Sequence, residues 1–496
     1  MPTWARIRST PAYPALITLS YVAAAATDLA IPAGWAVRTA IVGLLAVGTL
    51  QLMVSLVTRD RLVAGPIALA ILFWLAGHPI GVGVVLELLL FAELARRVAS
   101  LAGRTMSGYY ASLTRAANVF GFALVLVTSA GVIPAQLALV APAAAPSEAP
   151  SEPGPDIFLI VLDGYPRADT LATTYGFDNS PFLHELEDRG FEVATRARSN
   201  YNMTYLTFAS MLSMKHVADI PQLDPSLPKE EQRRRLAQVI ANPTLIRVLR
   251  DHGYQITMVQ SPFPMTAVRS ADHYVDTGQL NDFEIGLVVR ASQRGPVGRL
   301  VADFLADQLR ERVRLEFDEL RRLAEPAAAP RFVMVHLLTP HPPFVFGPSG
   351  ENAPVQDCFP AACGLWDGWT SQLRRDDFET AAGDQITYVN SEVLRAVDAI
   401  LAAATQPPII ILMSDHGSRL DPDDPDEMHR ILFATLTPGQ AGLFEDDATP
   451  ISVFPRLLRA YLGVYVAEPP PLEFQWDMRI EGDPLDLTPY SPTDDR

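Results

Sequence analysis

Five apolar stretches follow one another in the first 140 residues, at roughly 13–33, 37–57, 62–77, 80–95 and 116–139. A membrane-spanning helix needs about 20 apolar residues, with ~17 as a lower limit. The third and fourth stretches are short and broken by His78-Pro79, so they read as two spans or as one re-entrant hairpin. Either way the chain returns to the face it left. The expected architecture is an N-terminal α-helical transmembrane bundle of about five spans over residues 1–140, followed by a different kind of domain.

Charge gives the bundle a direction. Residues 1–140 hold nine Arg and no Lys against Asp28, Asp60, Glu87 and Glu93, a net +5, so the rest carries −22 of the chain's −17. Arg6 and Arg8 precede the first stretch, Arg59 and Arg61 follow the second, and Arg96, Arg97, Arg104 and Arg115 lie between the fourth and fifth. Only Arg38 falls on the other side. Positive charge stays cytoplasmic, which puts the N-terminus inside and the chain beyond residue 140 outside, an extracytoplasmic location. The first stretch is long and further spans follow it, which argues against a cleaved signal peptide. Glu87, in mid-span, reads either as a polar path or as a protonated or helix-paired structural carboxyl.

The acidic remainder argues against nucleic-acid binding, which needs a basic face. No obligate protein partner is evident. Cys358 and Cys363, in DCFPAAC, are the only cysteines. Their spacing suits a loop disulfide in an oxidising compartment, with two unrelated thiols as the alternative.

Residues 141–155 (APAAAPSEAPSEPGP) form a linker that cannot pack a core. Residues 156–467 read as alternating strand and helix, an α/β domain with a central, mostly parallel sheet. Strands are expected at Asp156–Leu162, Gln255–Gln260, Arg331–Leu338 and Pro408–Met413. Helices are expected at Phe182–Arg189, Pro243–His252, Pro296–Leu323 and Asp384–Ala403. In the third of these, Glu311, Arg312, Arg314, Glu316, Asp318 and Glu319 give a solvated face. Residues 468–496 read as an irregular, proline-rich tail.

Two buried strands end alike: IFLIVL runs into Asp163-Gly164, and IIILM into Ser414-Asp415-His416-Gly417. Ligands of open α/β sheets bind at the carboxyl ends of strands. Asp163, Asp415 and His416 would meet there and suit one divalent cation of the Zn, Mn or Mg type. Each motif alone has a bland reading, since Asp-Gly is a common turn and a lone His is usually structural. Between the strands lies SNYNMTYLTFASMLSM, residues 199–214, with apolar residues at helical spacing from Met203. Thr204 falls at or near that helix's N-terminus, where the dipole favours an oxyanion and an incoming phosphate or sulfate. It is the candidate nucleophile, with Ser199, Thr207 and Ser210 as competing hydroxyls and a plain N-cap as the bland reading. Asn200 and Asn202 suit the turn before the helix and are candidate substrate contacts. His341, in TPHPPF after a strand, is placed to bind a phosphoryl oxygen or protonate a leaving group. His336, inside that strand, reads as a hydrogen-bonded core residue. The acidic run Asp421–Glu427 reads as a solvated loop. Arg430 reads equally as a phosphoryl contact and as half of an ion pair.

In this order VLDGY (161–165), YGFDNSPFL (175–183), SNYNMT (199–204), TPHPPF (339–344) and SDHG (414–417) resemble the sulfatase-like branch of the alkaline phosphatase superfamily. Apolar spans followed by an outward domain of this size further resemble lipoteichoic acid synthase and related phosphoglycerol transferases. The resemblance implies a metal held by Asp163, Thr204, Asp415 and His416, Thr204 as nucleophile, and His341 on the substrate. True sulfatases carry a C/S-x-P-x-R motif that matures to formylglycine, and no segment here matches it, which argues against sulfate ester hydrolysis by that route. Asp163 is followed by Gly164 where sulfatases carry paired acidic residues, which favours one metal over two. The expected function is a metal-dependent phosphotransferase acting on a phospholipid or cell-envelope glycan through a covalent threonine, with a membrane lipid or lipid-linked envelope substrate as its partner. A phosphodiesterase, phosphatase or sulfatase-like hydrolase is the alternative, and a non-catalytic envelope-binding protein is the alternative of another class.

Overall fold

The structure, a computed structural model, describes residues 10–28, 33–75, 107–139, 154–259, 264–275, 277, 280, 284–285, 288, 298–354, 375–418, 424–476 and 483–492. The chain forms two compact units, Met1–Ala138 with Asn281–Val301, and Leu139–Leu280 with Ala302–Arg496.

The first unit contains α1 (Tyr13–Asp28), α2 (Ala33–Thr58), α3 (Arg61–Leu75) and α4 (Ser107–Leu139). By length and composition Gly34–Thr58 and Leu113–Val132 suffice to cross a membrane, whereas Tyr13–Ala26 and Arg61–Leu72 are shorter. The described residues thus show two helices of spanning length where about five spans were expected. The stretch at 80–95, with His78-Pro79 before it and Glu87 within it, lies outside the described residues. On α2, Val37, Leu45, Leu56 and Val57 are exposed, as are Val119 and Val127 on α4. An apolar surface of this extent suits lipid better than water.

Small residues let these helices approach closely. A Cβ added at Gly43 would lie 2.9 Å from Thr18 Cγ2, and one at Gly121 3.0 Å from Leu16 Cβ. The Asn118 side chain accepts from the Ala12 and Tyr13 N–H groups and so satisfies donors at the start of α1. Arg38, the exception in the charge pattern, donates from Nη2 to Glu284 Oε2 at 2.6 Å, while Thr39 donates to Glu284 Oε1 at 2.8 Å. A carboxylate within this unit therefore offsets the arginine that departs from the charge pattern.

The second unit is built on a seven-stranded sheet. Its strands are β1 (Ile157–Leu162), β2 (Glu192–Val193), β3 (Gln255–Val259), β4 (His273–Val275), β5 (Arg331–Leu337), β6 (Ile409–Ser414) and β7 (Phe433–Leu436), in spatial order β2-β7-β6-β1-β5-β3-β4. Strand β1 is central and parallel to β5 and β6, β3 is parallel to β5 and to β4, and β7 runs antiparallel to β6 and β2. The sheet is mixed and mostly parallel, as expected. All residues of β1, β5 and β6 are buried, as continuous apolar runs predict for strands covered on both faces. At the lower end Asp156 accepts from the Arg331 N–H at 2.8 Å and pairs with its guanidinium at 2.6 Å, which fixes the β1–β5 register.

The helices described after β1 are α5 (Ala168–Thr174), α6 (Ser180–Asp188), α7 (Thr204–Ser213), α8 (Lys229–Ala241), α9 (Thr244–Asp251), α10 (Gly298–Arg322), α11 (Arg375–Ala403) and α12 (Val453–Leu462). Helix α8 went unrecognised in the sequence because KEEQRRR opens it with no apolar period; its buried apolar residues, Leu236 and Ile240 among them, fall in its second half. Residues after Ala467 are not irregular throughout. Strands β8 (Glu473–Trp476) and β9 (Leu487–Tyr490) pair antiparallel, and Pro489 is tolerated because the two-stranded ladder is all edge.

The solvated face expected on α10 is also corrected. Arg312 and Glu316 are buried, and neither Glu316 carboxyl oxygen finds a hydrogen-bond partner among the described residues. Burial, opposed by the charge of Arg312, pushes the Glu316 carboxyl up to about 8. The folded state then holds a proton that the unfolded chain releases above pH 4.5. Stability contributed by this proton is complete below pH 4.5 and lost as pH rises towards 8, on the order of 5 kcal/mol at most. Glu316→Gln should flatten that fall; thermal midpoints recorded from pH 5 to 8.5 that decline identically in wild type and variant would contradict it.

Candidate active site

Asp163 is the first residue beyond β1, and its N–H donates to the Leu337 carbonyl of β5 at 2.9 Å. Gly164 then turns with φ +65°, where an added Cβ would lie 3.2 Å from His416 Cε1 and 3.3 Å from His341 Cδ2. Glycine is required because the turn passes against two imidazoles, so this Asp-Gly is more than a common turn. On β6, Ser414 Oγ accepts from the Tyr165 N–H at 2.8 Å and donates to the His416 carbonyl at 2.6 Å. A Cβ at Gly417 would sit 2.1 Å from the Glu427 carbonyl oxygen, so only glycine lets these backbones meet.

These turns bring the side chains together. His416 Nε2 lies 3.3 Å from Asp163 Oδ1 and 3.7 Å from Asp415 Oδ2, and His336 Nε2 lies 3.3 Å from Asp163 Oδ2. Ligand atoms of Asp163, His341 and His416 lie within 4.8 Å of one another, and so do those of Asp163, His336 and Asp415. Burial alone would raise the Asp163 carboxyl, but the charge of His341 and the close imidazoles of His336 and His416 hold it well below the usual carboxylate range. The Gly417 carbonyl lies 2.8 Å from His416 Nδ1, which assigns the ring proton there and turns the Nε2 lone pair towards the carboxylates.

Asp163 Oδ1, Asp415 Oδ2 and His416 Nε2 are buried without a hydrogen bond among the described residues. Buried acceptors facing one another are costly unless a cation lies between them. The donor set, two carboxylates with imidazoles, therefore fits one divalent metal.

Thr204 is the first residue of α7 and is buried. The N-cap position belongs to Met203, which makes no side-chain cap, so Thr204 is not the cap of this helix. One turn further on, Thr207 Oγ1 donates to the Asp415 carbonyl at 3.0 Å, and Ser199 Oγ donates to the same carbonyl at 2.5 Å. Those two competing hydroxyls are committed to the backbone of the Asp415 loop, and they tie the start of α7 to it.

The other expected contacts are engaged elsewhere. Asn200 donates to the Leu472 carbonyl and accepts from the Ile451 N–H. Asn202 brackets the Trp476 backbone, donating to its carbonyl and accepting from its N–H. Arg430 pairs with Asp426 at 2.5 Å and with Asp169 at 3.6 Å. Asp426 is buried and also pairs with Arg198 at 2.6 Å, so the acidic run is not a solvated loop at that residue. Cys358 and Cys363 lie outside the described residues.

Sequence reasoning missed two histidines. His336 is buried and bonded to Thr266, as expected, but its Nε2 also faces Asp163. A lone polar residue in RFVMVHLL, on a strand flanking β1, was the available signal. His429, buried, holds the Ser199 carbonyl at 2.8 Å through Nδ1 and stacks on Tyr490. Burial, partly offset by that carbonyl, keeps it near a pKa of about 4 and hence neutral.

The likeness to solved structures includes the C-terminal periplasmic domain of EptC from Escherichia coli, at 14% identity and TM-score 0.42, covering 70% of this chain and 97% of that one. It includes the integral membrane lipooligosaccharide phosphoethanolamine transferase A of Neisseria meningitidis, at 11% identity and TM-score 0.41, covering 92% and 94%. It also includes the phosphonate monoester hydrolase of Agrobacterium radiobacter, at 17% identity and TM-score 0.39, covering 65% and 80%. At such values these likenesses carry no argument about substrate. Among curated proteins none matches the sequence. The sulfatase family model matches residues 155–442, more than half of the chain and all of the metal-type cluster, and so this chain is an enzyme of the sulfatase family.

Proposed function

We propose that this enzyme transfers a phosphorus-centred group from a phospholipid or a lipid-linked envelope glycan, with Thr204 as the nucleophile. The observation that carries the reading is the convergence of Asp163, His341, Asp415 and His416 at the strand ends, beside a helix start pinned to Asp415. Asp163, Thr204, Asp415 and His416 would hold one divalent cation, Zn, Mn or Mg; the His416 imidazole suits Zn and the carboxylates suit Mn or Mg. Bound there, the cation supplies positive charge that offsets the negative charge on the phosphoryl oxygens.

Thr204 loses its proton to solvent, and the N–H groups of the first turn of α7 lower the cost of its alkoxide. Its Oγ forms a bond to phosphorus as the bond from phosphorus to the lipid oxygen breaks. The Pro342 carbonyl lies 2.7 Å from His341 Nδ1 and takes that ring proton as a hydrogen bond. His341 Nε2 is then the atom that gives a proton to the departing lipid oxygen, releasing it as a hydroxyl, and later takes one from the acceptor. The acceptor, an envelope hydroxyl or water, bonds to phosphorus, and the Thr204 Oγ–phosphorus bond breaks.

The bundle fits the substrate. About five spans with a cytoplasmic N-terminus and an extracytoplasmic catalytic unit would hold the site at high effective concentration over lipid head groups. The two helices of spanning length and the arginine distribution support this placement. The test offers the full-length protein in detergent a phospholipid and an aryl sulfate in parallel. Head-group release from the phospholipid without sulfate release is expected, and faster sulfate ester cleavage would overturn the reading.

A further inference from the structure

The residues leading into Thr204 are held from two sides. On one, Ser199 and Thr207 bind the Asp415 carbonyl. On the other lies β8, which belongs to the segment that looks like a tail in the sequence. The Phe474 N–H donates to the Asn200 carbonyl at 2.8 Å, and the Tyr201 ring stacks on Phe474 with centroids 5.6 Å apart at 15°. At the next rung the Asn202 side chain takes the place of a backbone. Its Oδ1 accepts from the Trp476 N–H at 2.9 Å and its Nδ2 donates to the Trp476 carbonyl at 2.9 Å. The sequence from 200 to 202 is thus paired to β8 like an extra strand, ending two residues before Thr204.

This pairing matters because α7 starts without a side-chain cap. A helix whose first turn lacks a cap has no local device to fix where it begins. Here the entry angle of the chain is set by the rungs before it, and the Asn202 clamp is the last of them. We infer that the β8–β9 hairpin positions Thr204 for reaction, with Asn202 as its positioning residue. The inference rests on the reading of Thr204 as nucleophile.

Asn202 is a better probe than the charged contact beside it. Arg198 is half-buried and pairs with both Asp426 and Glu473, each at 2.6 Å, so removing one carboxylate leaves the other pair in place and reports less cleanly on the hairpin. Asn202→Leu keeps the side-chain bulk and removes both hydrogen bonds to Trp476, and Asn202→Asp keeps the acceptor while losing the donor. In the full-length protein loaded with Mn, turnover of a phospholipid, metal content and the thermal midpoint are measured for each variant. A displacement of about 1 Å at a reacting atom costs on the order of 100-fold, so Asn202→Leu should lose kcat by about that factor with KM and metal content kept. Asn202→Asp should fall between it and wild type. A folded Asn202→Leu protein with wild-type kcat would overturn the inference, as would an Asn202→Asp protein equal to Asn202→Leu. Thr204→Ala run beside them separates the two ideas: full activity there sinks the nucleophile reading, whereas its loss together with an active Asn202→Leu sinks only the positioning role.

Discussion

Thr204→Ala is expected to lose turnover by about 1,000-fold or more, the scale seen when a covalent nucleophile is removed. The fold should survive the change. Thr204 occupies the first helical position, where alanine is a good helix former, and it is not the N-cap, so loss of a cap is not among the costs. Thr207 and Ser199 cannot take over, because each hydroxyl already donates to the Asp415 carbonyl. Thr204→Ser should restore part of the activity, since it returns the oxygen and lacks only the methyl group. Circular dichroism and phospholipid head-group release on the same preparations check both halves of this expectation. Wild-type turnover by a folded Thr204→Ala protein would end the assignment.

The second large effect is expected at Asp163. Its carboxylate approaches both His336 and His416, each at 3.3 Å. Asp163→Asn preserves shape and removes the charge that a cation needs between the imidazoles. Losing partners outside the ligand shell typically costs 10- to 100-fold in metal affinity or activity, so losing the proposed ligand should cost more than about 100-fold in each. A chelator applied to wild type should reproduce the activity loss, and added Mn or Zn should rescue wild type but not the variant. Metal content by mass spectrometry is the check. A variant that keeps a full equivalent of metal would show that the carboxylate is not a ligand.

Much of this was legible in the chain. Continuous apolar runs marked β1, β5 and β6, and the two turns after β1 and β6 pointed to Asp163, Asp415 and His416 because parallel strands deliver their ends to one edge. What escaped detection depended on contacts between distant segments. His336 reads as core until the β1–β5 register, Val161 opposite His336, brings it beside Asp163. The β8 strand is hidden in a proline-rich stretch whose partner, residues 200–202, lies far away in sequence. Glu316 sits in a helix rich in charge, and no periodicity separates one buried carboxyl from its solvated neighbours. Register, edge pairing and depth are tertiary quantities, and local pattern does not encode them.

The central claim is a covalent bond between Thr204 and phosphorus. Full-length protein quenched in acid during turnover of a phospholipid, then digested and analysed by mass spectrometry, tests it most directly. The account predicts a phosphorus-containing adduct on the peptide that carries Thr204, absent in Thr204→Ala. Continued turnover with that peptide always unmodified, or an adduct borne by another residue, would contradict it.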